Sequence, residues 1–230
     1  MLGIIGAMEV EVAALKNNMS APEVTEKAGM KFYQGKIAEK DVVVVKCGIG
    51  KVNAGICTQI LVDIFHVDAV INTGVAGSLN HEIDICDIVI SREAQQHDMD
   101  VTPLGYDKGI IPDMETSVFQ ADKRLIALAK SSAKDAKLEV NVYEGKILSG
   151  DQFIGTMDAK AYLLKNFAGD CAEMEGAAIA HAASLNHIPF LILRAISDKA
   201  DGGAEMDYPT FEKKAAENSI KLLNQMIENY

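Results

Sequence analysis

Two glutamates flank a methionine in the segment 171–178, where an extended stretch gives way to an alanine-rich helical run. Carboxylates are rarely buried without a partner, yet Glu173 and Glu175 interrupt an apolar region. In an extended segment both carboxylates lie on one face, whereas in a helix they diverge. A first-turn glutamate favoured by the helix dipole is the alternative interpretation.

A second apolar segment carries charges of its own. Residues 189–196 resemble a buried strand, but they include Arg194 and are followed by Ser197 and Asp198. A charged group in such a strand must be compensated, so we expect Arg194 to pair with a carboxylate. Two apolar segments that both carry charges predict the walls of a polar site.

Three further segments adjoin the ends of predicted strands. Glu11 follows a buried strand at 2–7, and residues 74–78 and 151–154 are predicted to be loops after two other strands. Binding sites in α/β sheets gather at the carboxyl ends of strands. Glu11, Glu175 and Asp198 without a basic cluster suit a neutral polyol substrate with a cationic transition state, as in cleavage of a sugar from a base.

Two other patterns are less specific. The glycine-rich turn at 48–51 precedes a helix and could hold an anion, but it lacks P-loop spacing and indicates a tight turn. His97, Asp98 and Asp100 could belong to a metal site, but a lone histidine near two aspartates is more typical of a polar loop. No metal site is therefore predicted.

Strands and helices alternate along the whole chain, without a linker or repeat. This order predicts one three-layer α/β domain spanning residues 1–230. The predicted strands are 2–7, 30–37, 42–46, 69–71, 85–91, 140–148 and 190–197. The predicted helices are 9–15, 52–65, 122–137, 159–167, 177–185 and 208–229, the last with Asp207 as its cap and Pro209 in its first turn.

Composition excludes several classes of function. The 230 residues carry a net charge of −11, which argues against binding to nucleic acid or anionic membranes. No apolar run reaches the ~20 residues that a membrane-spanning helix needs. The four cysteines lack metal or redox spacing and indicate reduced thiols in a cytoplasmic protein.

Five motifs in the same order carry a family resemblance. The chain resembles the 5′-methylthioadenosine/S-adenosylhomocysteine nucleosidases of the nucleoside phosphorylase superfamily, over essentially its whole length. The motifs are GIIGAMEVE at 3–11, INTG at 71–74, SGDQF at 149–153, EME at 173–175 and RAISD at 194–198. The resemblance implies a mixed central sheet partly closed into a barrel and flanked by helices.

The resemblance also implies catalytic roles. Glu11 is expected to activate the attacking water, and Asp198 to protonate N7 of the departing adenine with the help of Ser197. Glu175 is expected to bind the ribose 2′- and 3′-hydroxyls beside Met174. No cofactor is implied. A hydroxyl residue is common in the family where Val75 stands, so this chain is expected to lack one side-chain contact to the water.

The remaining implied contacts surround the base and the 5′-group. Phe153 is expected to stack on the purine and the Ile154 backbone to contact its edge. The other substrate-binding residues that the resemblance implies are Arg194, with Ala76 and Gly77 at the base, Met8, Ile49 and Tyr208 at the 5′-alkylthio group, and Val101, Leu104 and Tyr106. The last three lie in an apolar loop at 101–112 and are expected to complete the pocket of the partner in a homodimer.

The implied activity is hydrolysis of methylthioadenosine, adenosylhomocysteine and also 5′-deoxyadenosine, in methionine salvage. Three alternatives remain open: a phosphorylase that uses phosphate instead of water, an aminofutalosine-type nucleosidase, and a nucleoside-binding protein without activity. The phosphorylase is disfavoured because Asn72 and Thr73 precede Gly74, where superfamily phosphorylases place an arginine. A carboxylate at Glu11 would also repel phosphate.

Overall fold

A computed structural model describes residues 1–230, apart from the side chains of Glu205 and Met206. Over this range the chain forms ten strands, six α-helices and a short 3-10 turn at Thr102–Leu104. The strands are β1 (Leu2–Gly6), β2 (Ser20–Lys27), β3 (Met30–Ile37), β4 (Lys40–Lys46), β5 (Ala69–Ser78), β6 (Ile88–Gln96), β7 (Val118–Gln120), β8 (Val142–Ser149), β9 (Cys171–Glu173) and β10 (Phe190–Asp198). The helices are α1 (Glu9–Asn17), α2 (Lys51–Asp63), α3 (Lys123–Asp135), α4 (Met157–Phe167), α5 (Gly176–Leu185) and α6 (Ala204–Asn229).

One mixed sheet contains all ten strands. Its strand order is β10-β6-β8-β9-β5-β1-β4-β3-β2, and an additional pairing of β10 with β5 closes five strands into a barrel. The remaining strands extend outward from β5 and from β6. The expected α/β fold, with a mixed sheet partly closed into a barrel, is therefore confirmed.

The central strands carry apolar side chains on both faces, and helices cover both faces. Every residue of β1 is buried, and neighbouring side chains belong to different apolar clusters. Ile4 belongs to the cluster that contains Leu223 of α6, and Ile5 to the cluster that contains Ile179 of α5. Such continuous apolar runs are typical of strands buried on both sides. The strands β1, β5 and β10 run parallel, so their carboxyl ends face the same side of the sheet.

The glycine-rich segment 74–78 was predicted to be a loop, and this prediction is wrong. It continues β5, because β10 pairs alongside it from Phe190↔Val70 to Asp198↔Gly77 and β9 pairs with its end. The paired strands satisfy the backbone hydrogen bonds that a loop would have left open. Polar and glycine residues of this segment are therefore held rigidly inside the barrel.

Helix α6 begins earlier than expected. Its N-cap is Gly203, and Asp207 donates its N–H to the Gly203 carbonyl at 3.0 Å instead of capping the helix. Pro209 consequently lies inside the helix rather than in its first turn. On α1 the buried apolar residues are Val12 and Leu15.

Within the described part of the chain, each helix is too short or too polar to cross a lipid bilayer. All four cysteines are free and buried.

Candidate active site

A cavity of about 280 Å³ opens at the edge where β1, β5 and β10 end. It is also bordered by the β8–α4 loop and the β9–α5 turn. Its walls are formed by Ala7, Met8, Glu11, Ile49, Val75, Ala76, Gly77, Gln152, Phe153, Ile154, Ala172, Glu173, Met174, Glu175, Ser197, Asp198 and Tyr208. The three carboxylates predicted to do chemistry thus share one cavity.

Glu11 is held by backbone amides. Its Oε2 accepts hydrogen bonds from the N–H groups of Ala7 at 2.7 Å and Met8 at 2.9 Å, and its Oε1 accepts one from Val75 at 3.2 Å. Burial raises the pKa of Glu11, and the nearby charge of Arg194 together with these amides partly offsets that rise. A buried, oriented carboxylate of this kind is suited to act as a general base.

Gly74 is required where β5 passes Glu11. A Cβ atom at this position would lie 2.7 Å from Glu11 Oε1 and 3.3 Å from Arg194 Nη1. Only glycine lets the backbone come this close without displacing the carboxylate. The adjacent Val75 N–H then remains free to bind Glu11, so this backbone contact does not need the hydroxyl side chain that the family often has there.

A further carboxylate, Glu173, lies at the cavity wall and forms a buried ion pair. It pairs with Arg194, accepts a hydrogen bond from Ser149 Oγ, and accepts the N–H of Gly176 at 2.8 and 3.0 Å. Glu173 therefore caps the start of α5 and compensates the guanidinium. Arg194 is buried, at 1% exposure, and its Nη2 also donates to Asn72 Oδ1 at 2.5 Å.

Arg194 therefore pairs with a carboxylate, as its place in an apolar strand required. It was also expected among the substrate-binding residues, but it does not line the cavity. Its guanidinium is occupied by Glu173 and Asn72 behind the wall. Its contribution to the site is the charge that it places near Glu11 and Glu175.

Glu175 lies at the N-terminus of α5 and reaches across the cavity. Its Oε1 accepts the backbone N–H of Gly50 at 2.7 Å. The turn at 48–51 thus binds a carboxyl oxygen from a side chain of the same chain. Burial, and then the neighbouring charge of Glu173, raise the pKa of Glu175 to about 8.

Asp198 ends β10 with its carboxylate fixed on both oxygens. Ser197 Oγ donates to Oδ2 at 2.9 Å, and the Ala200 N–H donates to Oδ1 at 2.8 Å. Burial raises the pKa of Asp198, whereas these two hydrogen bonds lower it. A Cβ atom on Gly77 would lie 2.7 Å from Asp198 Oδ1, so this glycine gives the carboxylate its space.

Apolar side chains line the opposite end of the cavity. Phe153 is 53% exposed at the mouth, and its ring meets the Tyr208 ring edge-on at 5.9 Å. Ile49 is exposed beside it. The Tyr208 hydroxyl lies 3.2 Å from Met8 Sδ, so an aromatic ring and a thioether form one wall.

A charged network joins the loops around the mouth. Lys51 Nζ binds Asp98 Oδ1 at 2.5 Å and Gln96 Oε1 at 3.1 Å. Asp98 Oδ2 accepts the N–H of Asp151 at 3.0 Å, and Asp151 Oδ1 accepts the N–H of Lys51 at 2.8 Å. The loops that carry Ile49, Phe153 and the start of residues 97–117 are therefore fixed to one another.

This network also bears on the metal pattern at His97. Asp98 is engaged by Lys51, and His97 packs near the Phe167 ring. No group of three or more His, Cys, Asp or Glu side chains suited to a metal ion occurs among the described residues. The segment is a polar loop that supports the site.

Comparison with known proteins agrees with this geometry. The family model for the Phosphorylase superfamily matches residues 1–228. The chain belongs to this superfamily. A 5′-methylthioadenosine/S-adenosylhomocysteine nucleosidase of Staphylococcus saprophyticus subsp. saprophyticus is 43% identical over 229 residues, covering 99% of both chains.

Solved structures of similar proteins also match this chain over essentially its whole length. The nucleosidase of that name from Neisseria meningitidis, in complex with methylthio-immucillin-A, superposes with a TM-score of 0.96 at 37% identity, covering 100% of this chain and 99% of the other. A futalosine hydrolase of Helicobacter pylori superposes with a TM-score of 0.94 at 33% identity, covering 100% and 97%.

The structure brings most of the predicted site residues together. Those that line the cavity are Met8, Glu11, Ile49, Ala76, Gly77, Phe153, Ile154, Met174, Glu175, Ser197, Asp198 and Tyr208. Val101, Leu104 and Tyr106 lie outside it, in the loop before Pro112, where Leu104 is 74% exposed. Their expected contact with a partner's pocket stays a prediction.

Five lining residues were not predicted: Ala7, Val75, Gln152, Ala172 and Glu173. Ala7, Val75 and Gln152 are each next to a predicted residue in the chain, and Ala172 lies two residues before Met174. Glu173 had a visible signal, because it is the other carboxylate of the E-M-E motif in an apolar region.

Proposed function

We propose that the protein hydrolyses the N-glycosidic bond of 5′-methylthioadenosine and S-adenosylhomocysteine, releasing adenine, in methionine salvage. One observation carries the choice of water over phosphate. The cavity is lined by Glu11, Glu175 and Asp198, and its described lining side chains include no lysine, arginine or histidine. A phosphate dianion would need such cations, whereas a neutral nucleoside and water do not.

The reaction requires a proton donor and a proton acceptor. The bond between C1′ and N9 breaks, adenine takes a proton at N7 from Asp198, and positive charge develops on the sugar. Water adds to C1′ and gives its proton to Glu11. Burial raises the pKa of Asp198, which favours the protonated form needed for the first step.

The substrate's other groups have matching walls. The ribose diol offers two donors to the carboxylate of Glu175, whose Oε1 already accepts the Gly50 N–H. Phe153 presents a ring face for the purine, and the Ile154 backbone lies beside it. Met8, Ile49 and Tyr208 offer apolar and soft surface to a 5′-thioether.

An aminofutalosine-type nucleosidase is the second candidate. It is supported by the similarity to the futalosine hydrolase of Helicobacter pylori. Both activities need the same three carboxylates, so the 5′-substituent alone separates them. Turnover of methylthioadenosine, adenosylhomocysteine, 5′-deoxyadenosine and aminofutalosine by the same preparation ranks the candidates.

The deciding experiment measures adenine release in phosphate-free buffer. We expect full release from methylthioadenosine without phosphate, free 5-methylthioribose as the other product, and no gain when phosphate is added. Release that requires phosphate, with a sugar 1-phosphate accumulating, would replace hydrolysis by phosphorolysis. Tight binding without release would indicate a nucleoside-binding protein.

The same proposal includes a homodimer in the cytoplasm. The exposed apolar side chains of Leu104 and Tyr106 in the loop before Pro112, and of Ile49, Val52 and Ile56 at α2, suit an interface with a second copy. Burial raises the pKa of the Cys47 thiol to about 12, and all four thiols are free. Free thiols of this kind fit a reducing compartment.

A further inference from the structure

The apolar end of the cavity contains one polar contact that the proposed reaction does not use. The Tyr208 hydroxyl lies 3.3 Å from Glu212 Oε1 and 3.2 Å from Met8 Sδ. A phenol has a single proton, and a carboxylate is a stronger acceptor than a thioether. The Tyr208 hydroxyl therefore donates its hydrogen bond to Glu212. Tyr208 lines the cavity, and the Glu212 carboxylate lies directly behind it.

Among the described residues, Glu212 and Glu9 differ in their ion pairing. Glu9, beside Met8, forms an ion pair with Lys16. Among the ion pairs of the described residues none involves Glu212, which is partly buried one turn after Tyr208 on α6. The end of the cavity that faces a 5′-substituent is therefore electronegative.

We propose that Glu212, oriented by Tyr208, determines which 5′-substituents the enzyme accepts. It favours 5′-thioether nucleosides whose substituent carries an ammonium group, and it disfavours those whose substituent ends in a carboxylate. This inference rests on the proposed nucleosidase function, because it needs the 5′-group to lie against Met8 and Tyr208.

The chemistry of the three substrate types follows from one charge. A methylthio group is neutral and meets only Met8 and the Tyr208 ring. The tail of adenosylhomocysteine is a zwitterion, whose ammonium can approach Glu212 while its carboxylate remains in solvent. A substituent that ends in a carboxylate alone, as in aminofutalosine, meets only repulsion.

The test uses two synthetic substrates of nearly equal length. They are 5′-deoxyadenosines with an aminopropylthio or a carboxyethylthio group at the 5′-position, and the readout is the ratio of their kcat/KM values. We expect the wild-type protein to prefer the amine. In Glu212→Gln the amide oxygen still accepts from Tyr208 but the charge is lost, so the ratio should fall about fivefold, which is the order of one exposed charge pair.

Glu217→Gln is the matched control. Glu217 is exposed on the same helix, and its substitution changes the net charge by the same amount. The ratio should stay at the wild-type value in this variant. Tyr208→Phe removes the hydroxyl that orients Glu212, and it should lower the ratio in the same direction as Glu212→Gln.

Each outcome has a distinct meaning. An unchanged ratio in Glu212→Gln, or an equal fall in Glu217→Gln, overturns the role of Glu212. Loss of adenine release from every substrate, including methylthioadenosine with the wild-type protein, overturns the proposed function instead. Thermal unfolding of each variant identifies a ratio that changed because the fold was damaged.

Discussion

Individual carboxylates in this cavity are distinguished by what holds them. Glu11 is bound by three backbone N–H groups, Glu173 by a guanidinium, and Asp198 by one hydroxyl and one N–H. Burial raises the pKa of both Glu11 and Asp198, but the two carboxylates differ in the hydrogen bonds that lower it. Separate acid and base roles in one cavity require such differences.

The proposed acid is tested by Asp198→Asn. The amide keeps the shape of the side chain but cannot supply the same proton, so turnover should fall roughly 100- to 10,000-fold with substrate binding largely kept. Asp201→Asn, three residues further on, is the control for a nearby change of charge. Near-normal turnover of Asp198→Asn, measured by adenine release, would contradict the assignment. Glu11→Gln should resemble Asp198→Asn.

Burial of Glu175 predicts a dependence of stability on pH. Its pKa is raised from 4.5 to about 8, so the folded state holds a proton that the unfolded state has released between those values. Stability from this group is therefore lost as pH rises through that window. Glu175→Gln should melt several °C above the wild-type protein at pH 8 and close to it at pH 5. Equal melting temperatures at both pH values would contradict the shift.

At the scale of elements, the sequence predicted the buried strands and long helices well. Their apolar runs and helical spacing are strong local signals. It missed the three-residue strands β7 and β9, and it missed β2. The residues of β2 are almost all exposed, and this strand exists because it pairs with β3 at the sheet edge. The end of β5 was also predicted to be a loop, because glycines at 74 and 77 are typical of loops. Pairing with β9 and β10 keeps this segment extended.

The site was predictable to a similar extent and for related reasons. Glu11, Glu175 and Asp198 stand out as charges next to apolar strands. The backbone N–H groups that bind these carboxylates cannot be recognised in the sequence, because every residue except proline has one. The N–H groups of Gly50 and Val75 are examples. Arg194 was visible as a buried charge, but its partner in space could not be chosen among several carboxylates from sequence alone.

The hydrogen-bond network of Lys51, Gln96, Asp98 and Asp151 is predicted to affect substrate binding. Lys51→Met removes the cation between Gln96 and Asp98 and frees the turn that donates to Glu175. KM should rise more than about tenfold, while kcat changes less, because the turn and Phe153 act in binding. Lys31→Met, on an exposed position of β3, is the control. A fall in kcat alone would assign the network a different role.

At the scale of the whole molecule, the proposed homodimer concerns the exposed apolar side chains of the loop before Pro112. Leu104 and Tyr106 expose apolar surface although the chain carries a charge of −11. A second copy would cover this surface and add side chains to the cavity. The homodimer proposal therefore predicts that assembly and activity are lost together.

Leu104→Asp tests this coupling. Light scattering of the wild-type protein should give about twice 24.8 kDa, whereas the variant should be smaller and less active, with activity rising with protein concentration. Val24→Asp places the same charge on β2, away from the loop, and should leave the mass unchanged. If the wild-type protein or Leu104→Asp were a fully active monomer, the loop would not complete the site of a second copy.

The four buried cysteines have a practical consequence for labelling chemistry. Burial raises the thiol pKa at Cys47, Cys57, Cys86 and Cys171, so little thiolate forms at neutral pH and maleimides react slowly with them. A cysteine introduced at exposed Val24 would thus be the preferred target of a dye without removal of the native thiols. Mixing donor- and acceptor-labelled protein would then report subunit exchange by energy transfer.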